Sequence, residues 1–249
     1  MVDYAGRTNQ GRFVLEIRKG KLLHEGHGKK IYATQENDKM ILHFKDDIPP
    51  WIKSKSKTIK GKGNINAAVC ETLLKFLNSY HVATHYLELI KPGELLVQAL
   101  DMIPIQVQIW NFASGSLIKR FHLKKGAPLE FPILEYYLKD QLLGNPMVNE
   151  DHAYSLGYAS PEAMKAIDMM ARKVNAVLKS YFHRRRLTLV ELNLEFGRVK
   201  DQIILGDDIS LDNCRLWDLE ADQKEQDRFF QKAENLGEDY KILEERICS

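Results

Sequence analysis

The chain has 249 residues, of which 44% are hydrophobic and 28% are charged, a composition typical of a globular protein with a sizeable core. Its 36 basic and 34 acidic residues leave a formal charge of +2, so no overall field favours nucleic acid or a membrane surface. No apolar run approaches the length of a membrane span, the first residues lack the apolar core of a signal peptide, and the three cysteines show no metal-ligand spacing. We therefore expect a cytoplasmic protein without nucleic-acid or membrane partners, and the sequence leaves homo-oligomerisation open.

Short apolar runs separated by glycine dominate the first part of the chain and predict a strand-rich region. The predicted strands span residues 12–18, 21–24, 30–34 and 40–45. Between residues 64 and 80, apolar residues recur at the spacing of one helical face, which predicts a helix. Strand-like patterning returns over 86–91 and 95–110, and Pro104 predicts a break or a sheet edge within the second of these runs.

The later part of the chain mixes helical and strand-like patterns. Ser160 followed by Pro161 is a strong helix start, because serine can cap the helix and proline fits its first position. The predicted helices cover 134–143, 160–181 and 219–234, and the predicted strands cover 187–196 and 202–206. We place a domain boundary near residue 103, with a β-rich lobe over 1–103 and an α+β lobe over 104–249.

The stretch ELNLEFG, residues 191–197, alternates polar and apolar residues with the period of a strand. Glu191, Asn193 and Glu195 therefore share one face. An antiparallel turn directly after this stretch would bring Asp207 close to Glu195, and two neighbouring carboxylates repel each other unless a cation lies between them. Mg²⁺ is a suitable cation, and it usually binds together with nucleotide phosphates. A solvated acidic patch is the alternative interpretation.

Three further segments carry residues suited to phosphate binding. In GHGKKIY, Gly26 and Gly28 would let backbone amides approach a phosphate chain, and Lys29 would add a positive charge. An ordinary glycine-containing hairpin is the alternative for this segment. The other two segments contain Ser116, at a predicted helix start, and Arg215, after the acidic strand.

The order of these motifs resembles the SAICAR synthetase family, the purine-pathway ligases that join an aminoimidazole carboxylate to aspartate. The matching segments run in the family's order from about residue 20 to residue 235. They are GHGKKIY (26–32), KGN (62–64), the block at 100–120, NPMVNE (145–150), and the LEFG, LGDDIS and RLWD segments near the end. The resemblance implies a two-lobed α+β fold, with ATP bound in a cleft between a β-rich N-terminal lobe and a larger C-terminal lobe.

The resemblance also implies a reaction and a set of site residues. ATP would phosphorylate the substrate carboxylate, and an amine, which is aspartate in the family, would attack the acyl phosphate to form an amide in a Mg²⁺-dependent site. The catalytic residues would be Lys29, Glu195 and Asp207, of which the last two would hold the metal. The nucleotide-binding positions would be Gly26, His27, Gly28, Lys29 and Met102. The substrate-binding positions would be Asp47, Trp110, Ser116, Lys139, Asn145, Glu191, Asn193 and Arg215.

Several positions on the acceptor side depart from the family pattern. Trp110 stands where the family has a substrate-binding arginine, Asn193 replaces a lysine and Asn145 replaces an aspartate. The remaining departures are His27, Gln106, Glu191 and a lysine-rich loop at 53–62. Exchanging a guanidinium for an indole removes a charge-assisted phosphate contact, whereas the positions assigned to ATP and metal keep their chemistry.

Our leading hypothesis from the sequence is therefore an ATP-dependent carboxylate–amine ligase with an altered acceptor, such as a nucleoside-like heterocycle that carries a carboxylate. The first alternative is a genuine SAICAR synthetase of purine biosynthesis, in which the lysines of 53–62 replace the missing phosphate contact. That lysine run is otherwise a solvated loop. The second alternative is a catalytically inactive ATP-binding homologue. The sequence names neither the acceptor nor the amine donor.

Overall fold

A computed structural model describes residues 17–50, 52, 54, 56–221 and 226–249 of the chain. The predicted strand over 12–18 therefore lies outside the described residues except for its last two positions, which are not in a strand. Lys53 and Lys55 of the lysine-rich segment also lie outside the described residues, as do the first 16 residues of the lobe predicted over 1–103. That domain division stays a prediction.

The first part of the chain forms an antiparallel sheet of five strands in the spatial order β1-β2-β3-β5-β4. The strands are β1 (Leu22–Glu25), β2 (Lys29–Ala33), β3 (Lys39–Phe44), β4 (Tyr86–Lys91) and β5 (Glu94–Gln98). Four of the predicted strand runs are thereby confirmed. Helix α1 (Lys62–Ser79) packs against β3, β4 and β5 and buries Leu73, Leu74 and Leu77. Each fully buried leucine stabilises the fold by about 2 kcal/mol relative to an exposed one.

The later part of the chain builds a second sheet of six strands. Its strands are β6 (Asp101–Phe112), β7 (Pro128–Leu138), β8 (Met147–Val148), β9 (Leu187–Val199), β10 (Gln202–Gly206) and β11 (Cys214–Asp218). The spatial order is β10-β9-β6-β7-β8, and β11 pairs with the first half of β9. Leu192, Leu194 and Phe196 are buried while the residues between them are partly exposed, which confirms the alternation of the ELNLEFG stretch.

Four helices accompany the second sheet. They are α2 (Gly115–Phe121), α3 (Glu150–Ser155), α4 (Pro161–Arg184) and α5 (Leu236–Cys248), with a short 3-10 turn at Ala233–Asn235 before the last. Helix α4 begins as predicted, since the Ser160 side chain accepts a hydrogen bond from the backbone N–H of Ala163 at 3.2 Å. Helix α4 packs against β9 and α5 packs against α1. None of the helices in the described part of the chain is long and apolar enough to cross a membrane.

Three of the predicted elements are wrong in detail. The run 95–110 is divided between β5 and β6, and Pro104 lies inside β6, where the pairing with β9 shifts register between Met102 and Gln106. The missing N–H of proline is tolerated there because the regular ladder is already interrupted. Residues 134–138 belong to β7 instead of a helix. Within the helix predicted over 219–234, the described residues 219–221 and 226–232 are not helical, Ala233–Asn235 form a 3-10 turn, and α5 begins at Leu236.

Two asparagines form a reciprocal amide pair between the second sheet and α4. Asn111 Nδ2 donates to Asn175 Oδ1 at 2.8 Å, and Asn175 Nδ2 donates to Asn111 Oδ1 at 2.9 Å. Both side chains are buried, at 3% and 2% exposure. Each amide therefore satisfies a polar group of the other that water does not reach.

Replacing Asn111 by leucine is expected to lower the free energy of unfolding by about 2 kcal/mol, because Asn175 is left buried without its partner. Urea denaturation measures this change. The double variant Asn111→Leu/Asn175→Leu is the control, since it leaves no amide unpaired and should lose less stability than the two single variants added together. Simple additivity of the single variants would contradict the pairing.

Candidate active site

Lys29, the first residue of β2, reaches from the first sheet to the loop that follows β10 in the second. Its Nζ forms ion pairs with the carboxylates of Asp207 and Asp208. Burial would lower the pKa of Lys29, but the surrounding carboxylates, Asp207 first, outweigh burial and raise that pKa well above its ordinary value. Lys29 is therefore protonated at neutral pH and forms an ion-paired contact between the two sheets.

Glu195 lies beside this ion-paired group on β9. Its Cα partner on β10 is Gly206, so Asp207 follows the paired position by one residue instead of facing Glu195 directly. Burial, and then the negative charge of Asp207, raise the pKa of Glu195 above its ordinary value. Lys139, just after β7, forms an ion pair with Glu195. The structure thus brings the two predicted acids together, with a register that differs by one residue.

These five residues, Lys29, Lys139, Glu195, Asp207 and Asp208, form what we call the carboxylate cluster. The described residues contain no group of three or more histidines, cysteines, aspartates or glutamates arranged to hold a metal ion. Glu195 and Asp207 provide two carboxylates. Mg²⁺ that binds with a nucleotide usually takes one or two carboxylates and completes its shell with phosphate oxygens and water. The cluster fits such a partial site, in which the ligand supplies the remaining donors.

The glycine turn, residues 26–29, lies next to the carboxylate cluster. The N–H of Gly26 donates to the carbonyl of Lys29 at 2.9 Å, which closes the turn, and His27 is exposed at its tip. A Cβ placed on Gly28 would lie 3.3 Å from Asp212 Oδ2. A side chain at position 28 would therefore press on the loop after β10, and glycine allows the close approach.

Two predicted positions border this region and one lies apart from it. Met102 on β6 is 42% exposed, and its Sδ lies 3.1 Å from the place where a Cβ on Gly206 would be. Asp47 forms an ion pair of 2.7 Å with Lys45, whose N–H donates to the carbonyl of Gly28 at 2.8 Å.

Asn145 lies in the turn between β7 and β8, where the local backbone conformation favours asparagine. Its φ is 51°, in the left-handed region that asparagine tolerates better than most residues. Its N–H donates to the carbonyl of Asp140 at 2.8 Å, and the residue is exposed. No described contact joins Asn145 to the carboxylate cluster.

A cavity of about 570 Å³ contains three other predicted substrate residues, Glu191, Asn193 and Arg215. Gln108 Nε2 donates to Glu191 Oε1 at 2.5 Å, and burial raises the pKa of Glu191. Asn193 Oδ1 is buried and has no hydrogen-bond partner among the described residues. Arg215 Nη2 lies 2.9 Å from Asp227 Oδ2. The cavity therefore offers hydrogen-bond acceptors and one guanidinium, which is already balanced by an acid.

Trp110 stands behind the turn that carries Ser116. The indole is only 2% exposed, and its Nε1 donates to Glu135 Oε2 at 3.0 Å. Glu135 also accepts from Arg120 Nη2 at 2.7 Å. A Cβ on Gly115 would lie 3.2 Å from the indole, and Ser116 follows as an exposed residue of α2. Trp110 therefore fills the interior behind this turn instead of presenting an aromatic surface to an acceptor.

Comparison with known proteins decides the family. The family model described as SAICAR synthetase matches residues 22–247. The chain belongs to the SAICAR synthetase family. It is therefore an ATP-dependent ligase that forms a C–N bond, on the α+β fold of that family, as the sequence predicted.

Members of the SAICAR synthetase family resemble this chain over nearly their whole length. A phosphoribosylaminoimidazole-succinocarboxamide synthase from Prosthecochloris aestuarii is 40% identical over 232 residues, which cover 93% of this chain and 99% of the relative. A solved structure described as SAICAR synthetase (Type-2) in complex with ADP is 38% identical, with a TM-score of 0.82 over 93% of this chain and 97% of the other. The synthase structure from Ehrlichia chaffeensis is 32% identical, with a TM-score of 0.83 over 91% and 98%.

Several residues in or behind the site of this family member were not assigned from the sequence. Asp208 directly follows Asp207, and only its place in the LGDDIS segment could have indicated a role in the site. Lys62 stands in the KGN segment, which matched the family without suggesting a role. Asp227 lies in the segment 219–234, which was predicted as a polar helix, and that pattern did not indicate a contact with Arg215.

Proposed function

We propose that this chain is a genuine SAICAR synthetase of purine biosynthesis. It would use ATP to join an aminoimidazole ribotide carboxylate to aspartate, whose carbon skeleton is the succino group in the relatives' name. The observation that carries this proposal is the near-complete length over which named synthases match the chain, at about 40% identity. The altered-acceptor hypothesis has less support than this alternative, because the relatives described above are named as SAICAR synthetases and Trp110 is buried.

The carboxylate cluster supports ATP as the phosphoryl donor. Transfer of a phosphoryl group depends mainly on positioning and on neutralising negative charge. Lys29 is a partly buried lysine at the end of the glycine turn, and the carboxylates around it raise its pKa, so its positive charge suits contact with phosphate oxygens. Met102 is exposed close by, where an apolar side chain can lie against a base. The ADP complex of a 38% identical relative agrees with nucleotide binding on this fold.

Mg²⁺ fits the same cluster, with Glu195 and Asp207 as the residues that would hold it. The ion would supply positive charge to the transferring phosphoryl group. Lys29 and Lys139 offset two of the three acids in the cluster, so one acid remains for which Mg²⁺ can compensate. Lys139 would then remain as the cation nearest to Glu195 on the second sheet.

The cavity beside the cluster would hold the acceptor. Arg215 is its guanidinium, and Asp227 fixes its orientation. Glu191 and Asn193 would accept hydrogen bonds from amino or hydroxyl groups of the acceptor. We assign no specific role in acceptor binding to Asp47, Ser116 or Asn145. A biosynthetic ligase that consumes ATP and keeps its cysteines free is in keeping with a cytoplasmic location.

A product assay tests the proposal. The protein is incubated with ATP, Mg²⁺ and aspartate, together with either the aminoimidazole carboxylate ribotide or the same nucleoside without phosphate. We expect ADP release and the amide product from the ribotide, identified by mass spectrometry, with kcat/KM at least about tenfold higher than with the nucleoside, since a charged phosphate contact contributes roughly 1.4 kcal/mol or more.

The two other hypotheses predict different results in this assay. Faster amide formation from the nucleoside would support the altered acceptor and overturn the proposal. Tight ATP binding with no product from either compound, at varied amine donors, would favour an inactive homologue.

A further inference from the structure

A largely buried ionic contact lies against the glycine turn, and we call it the Asp212 junction. It consists of Lys62, Asp212 and Tyr240. Lys62 Nζ lies 2.5 Å from Asp212 Oδ2, and the Tyr240 hydroxyl donates to Asp212 Oδ1 at 2.6 Å. Lys62 is the first residue of α1, Tyr240 belongs to α5, and Asp212 belongs to the loop between β10 and β11. The junction therefore joins three distant parts of the chain.

The burial of the junction indicates that its geometry is constrained. Lys62 and Tyr240 are both 0% exposed. A buried ammonium is costly unless a charged partner and further hydrogen bonds compensate for the lost water. Burial, together with Asp212, raises the pKa of Tyr240, so its hydroxyl remains a donor. The ring also packs against Phe230 with a centroid distance of 4.8 Å.

Hydrogen bonds connect Asp212 to the carboxylate cluster through the loop 207–213. The N–H of Asp212 donates to Ser210 Oγ at 3.3 Å, and Ser210 Oγ donates to Asp208 Oδ2 at 2.5 Å. Asn213 Nδ2 donates to the carbonyl of Asp208 at 2.7 Å. Since Asp208 also pairs with Lys29, the position of Asp212 is linked to the lysine that faces the nucleotide in our proposal.

The second link is direct contact with the glycine turn. Only 3.3 Å separates Asp212 Oδ2 from the place of a Cβ on Gly28. A shift of the Asp212 carboxylate would therefore displace both the glycine turn and the loop that carries Asp207 and Asp208.

We propose that the Asp212 junction sets the relative position of the glycine turn and the loop 207–213, and thereby the affinity for nucleotide. Lys62 and Tyr240 are positioning residues, since their burial keeps them from touching a ligand themselves. The inference rests on the proposed function, because ATP is the ligand concerned. It gives a role in nucleotide binding to Lys62, whose KGN segment had none assigned, and to Tyr240 of α5, which lies outside the family motifs.

The test uses Tyr240→Phe, because Lys62→Met removes a buried charge and risks unfolding the protein. The phenylalanine keeps the ring packed on Phe230 and removes only the hydrogen bond to Asp212. We expect the Kd for ADP with Mg²⁺, measured by calorimetry, and the KM for ATP to rise about tenfold. The lost hydrogen bond is to a charged carboxylate, and such hydrogen bonds are stronger than those between neutral groups. The kcat and the KM for the amine donor should change less than about twofold.

Tyr86→Phe is the matched control. Tyr86 also donates its hydroxyl to a carboxylate, that of Glu71, at 2.8 Å, and it is 9% exposed. The control should lose stability in thermal unfolding without losing nucleotide affinity. An unchanged Kd in Tyr240→Phe, or an equal rise in both variants, overturns the inference while the proposed function stands. Absence of nucleotide binding by the unmodified protein overturns the proposed function together with the inference.

Discussion

Replacing Lys29 by methionine is expected to lower kcat/KM for ATP by about a thousandfold or more, the largest effect of any single substitution in the site. Methionine is similar in length, so the main change is the loss of charge. The negative charges of Asp207 and Asp208 would then face one another and the raised-pKa carboxyl of Glu195 without their cation. Both nucleotide binding and phosphoryl transfer suffer, because the incoming phosphates meet uncompensated negative charge.

Steady-state kinetics at varied ATP measures this effect, and the neighbouring lysine provides the control. Lys30 also lies on β2, and its Nζ forms a partly exposed ion pair of 3.3 Å with Glu25. Since such exposed pairs contribute little, Lys30→Met should keep kcat/KM within about threefold of the unmodified protein. A loss in Lys29→Met no greater than that in Lys30→Met would remove Lys29 from the site.

Replacing Asp207 by asparagine is expected to abolish the Mg²⁺ dependence of nucleotide binding and to reduce kcat by at least about a hundredfold. Asparagine is the informative substitution because Asp207 has a φ of 57°, a left-handed conformation that asparagine adopts readily and alanine does not. The backbone thus stays in place while the charge is removed. A neutral amide is a much weaker ligand for a hard divalent cation than a carboxylate.

Calorimetric titration with ADP, with and without Mg²⁺, provides the measurement for Asp207. Asp201→Asn is the control, because Asp201 is exposed in the turn between β9 and β10 and belongs to the same strand pair. The control should retain the full gain in ADP affinity on addition of Mg²⁺. If Asp207→Asn retained that gain as well, Glu195 and Asp207 would not be the metal pair.

The acidic strand shows how far local pattern could predict this site. The alternation of ELNLEFG fixed which residues share a face, because a strand's side chains alternate without regard to the rest of the fold. The turn is what brings Asp207 to Glu195. A turn over the predicted residues 197–201 would pair Glu195 with Ile203, whereas β9 continues to Val199, the turn lies at Lys200 and Asp201, and Glu195 pairs with Gly206, the residue before Asp207.

The parts of the site that sequence reasoning missed depend on tertiary contact. Strand β11 is five residues long, and it was absorbed into a motif without being assigned as a strand. Asp227 and Tyr240 follow it in segments predicted as a polar helix or left without prediction. Folding brings Arg215 into contact with Asp227 and Asp212 into contact with Tyr240. Local periodicity does not predict contacts between residues so far apart in the fold.

The departures from the family pattern show a different limit. Trp110 suggested an altered acceptor because the exchange of arginine for tryptophan was judged as if the side chain faced the ligand. In the structure the indole is enclosed and bonded to Glu135, beside Arg120. A substitution in a motif therefore identifies a changed residue but not the direction in which the new side chain points.

Strand β9 fixes the spacing between the cavity and the carboxylate cluster. Glu191 and Asn193 border the cavity, Glu195 belongs to the carboxylate cluster, and the three are successive residues on one face of a single strand. The distance between neighbours is therefore fixed by the strand rise at about 7 Å. Loss or gain of one residue in the strand just before Glu191 would turn all three toward the core at once. Adaptation to a longer or shorter substrate therefore requires exchange of side chains, because the strand rise fixes the distance between these backbone positions.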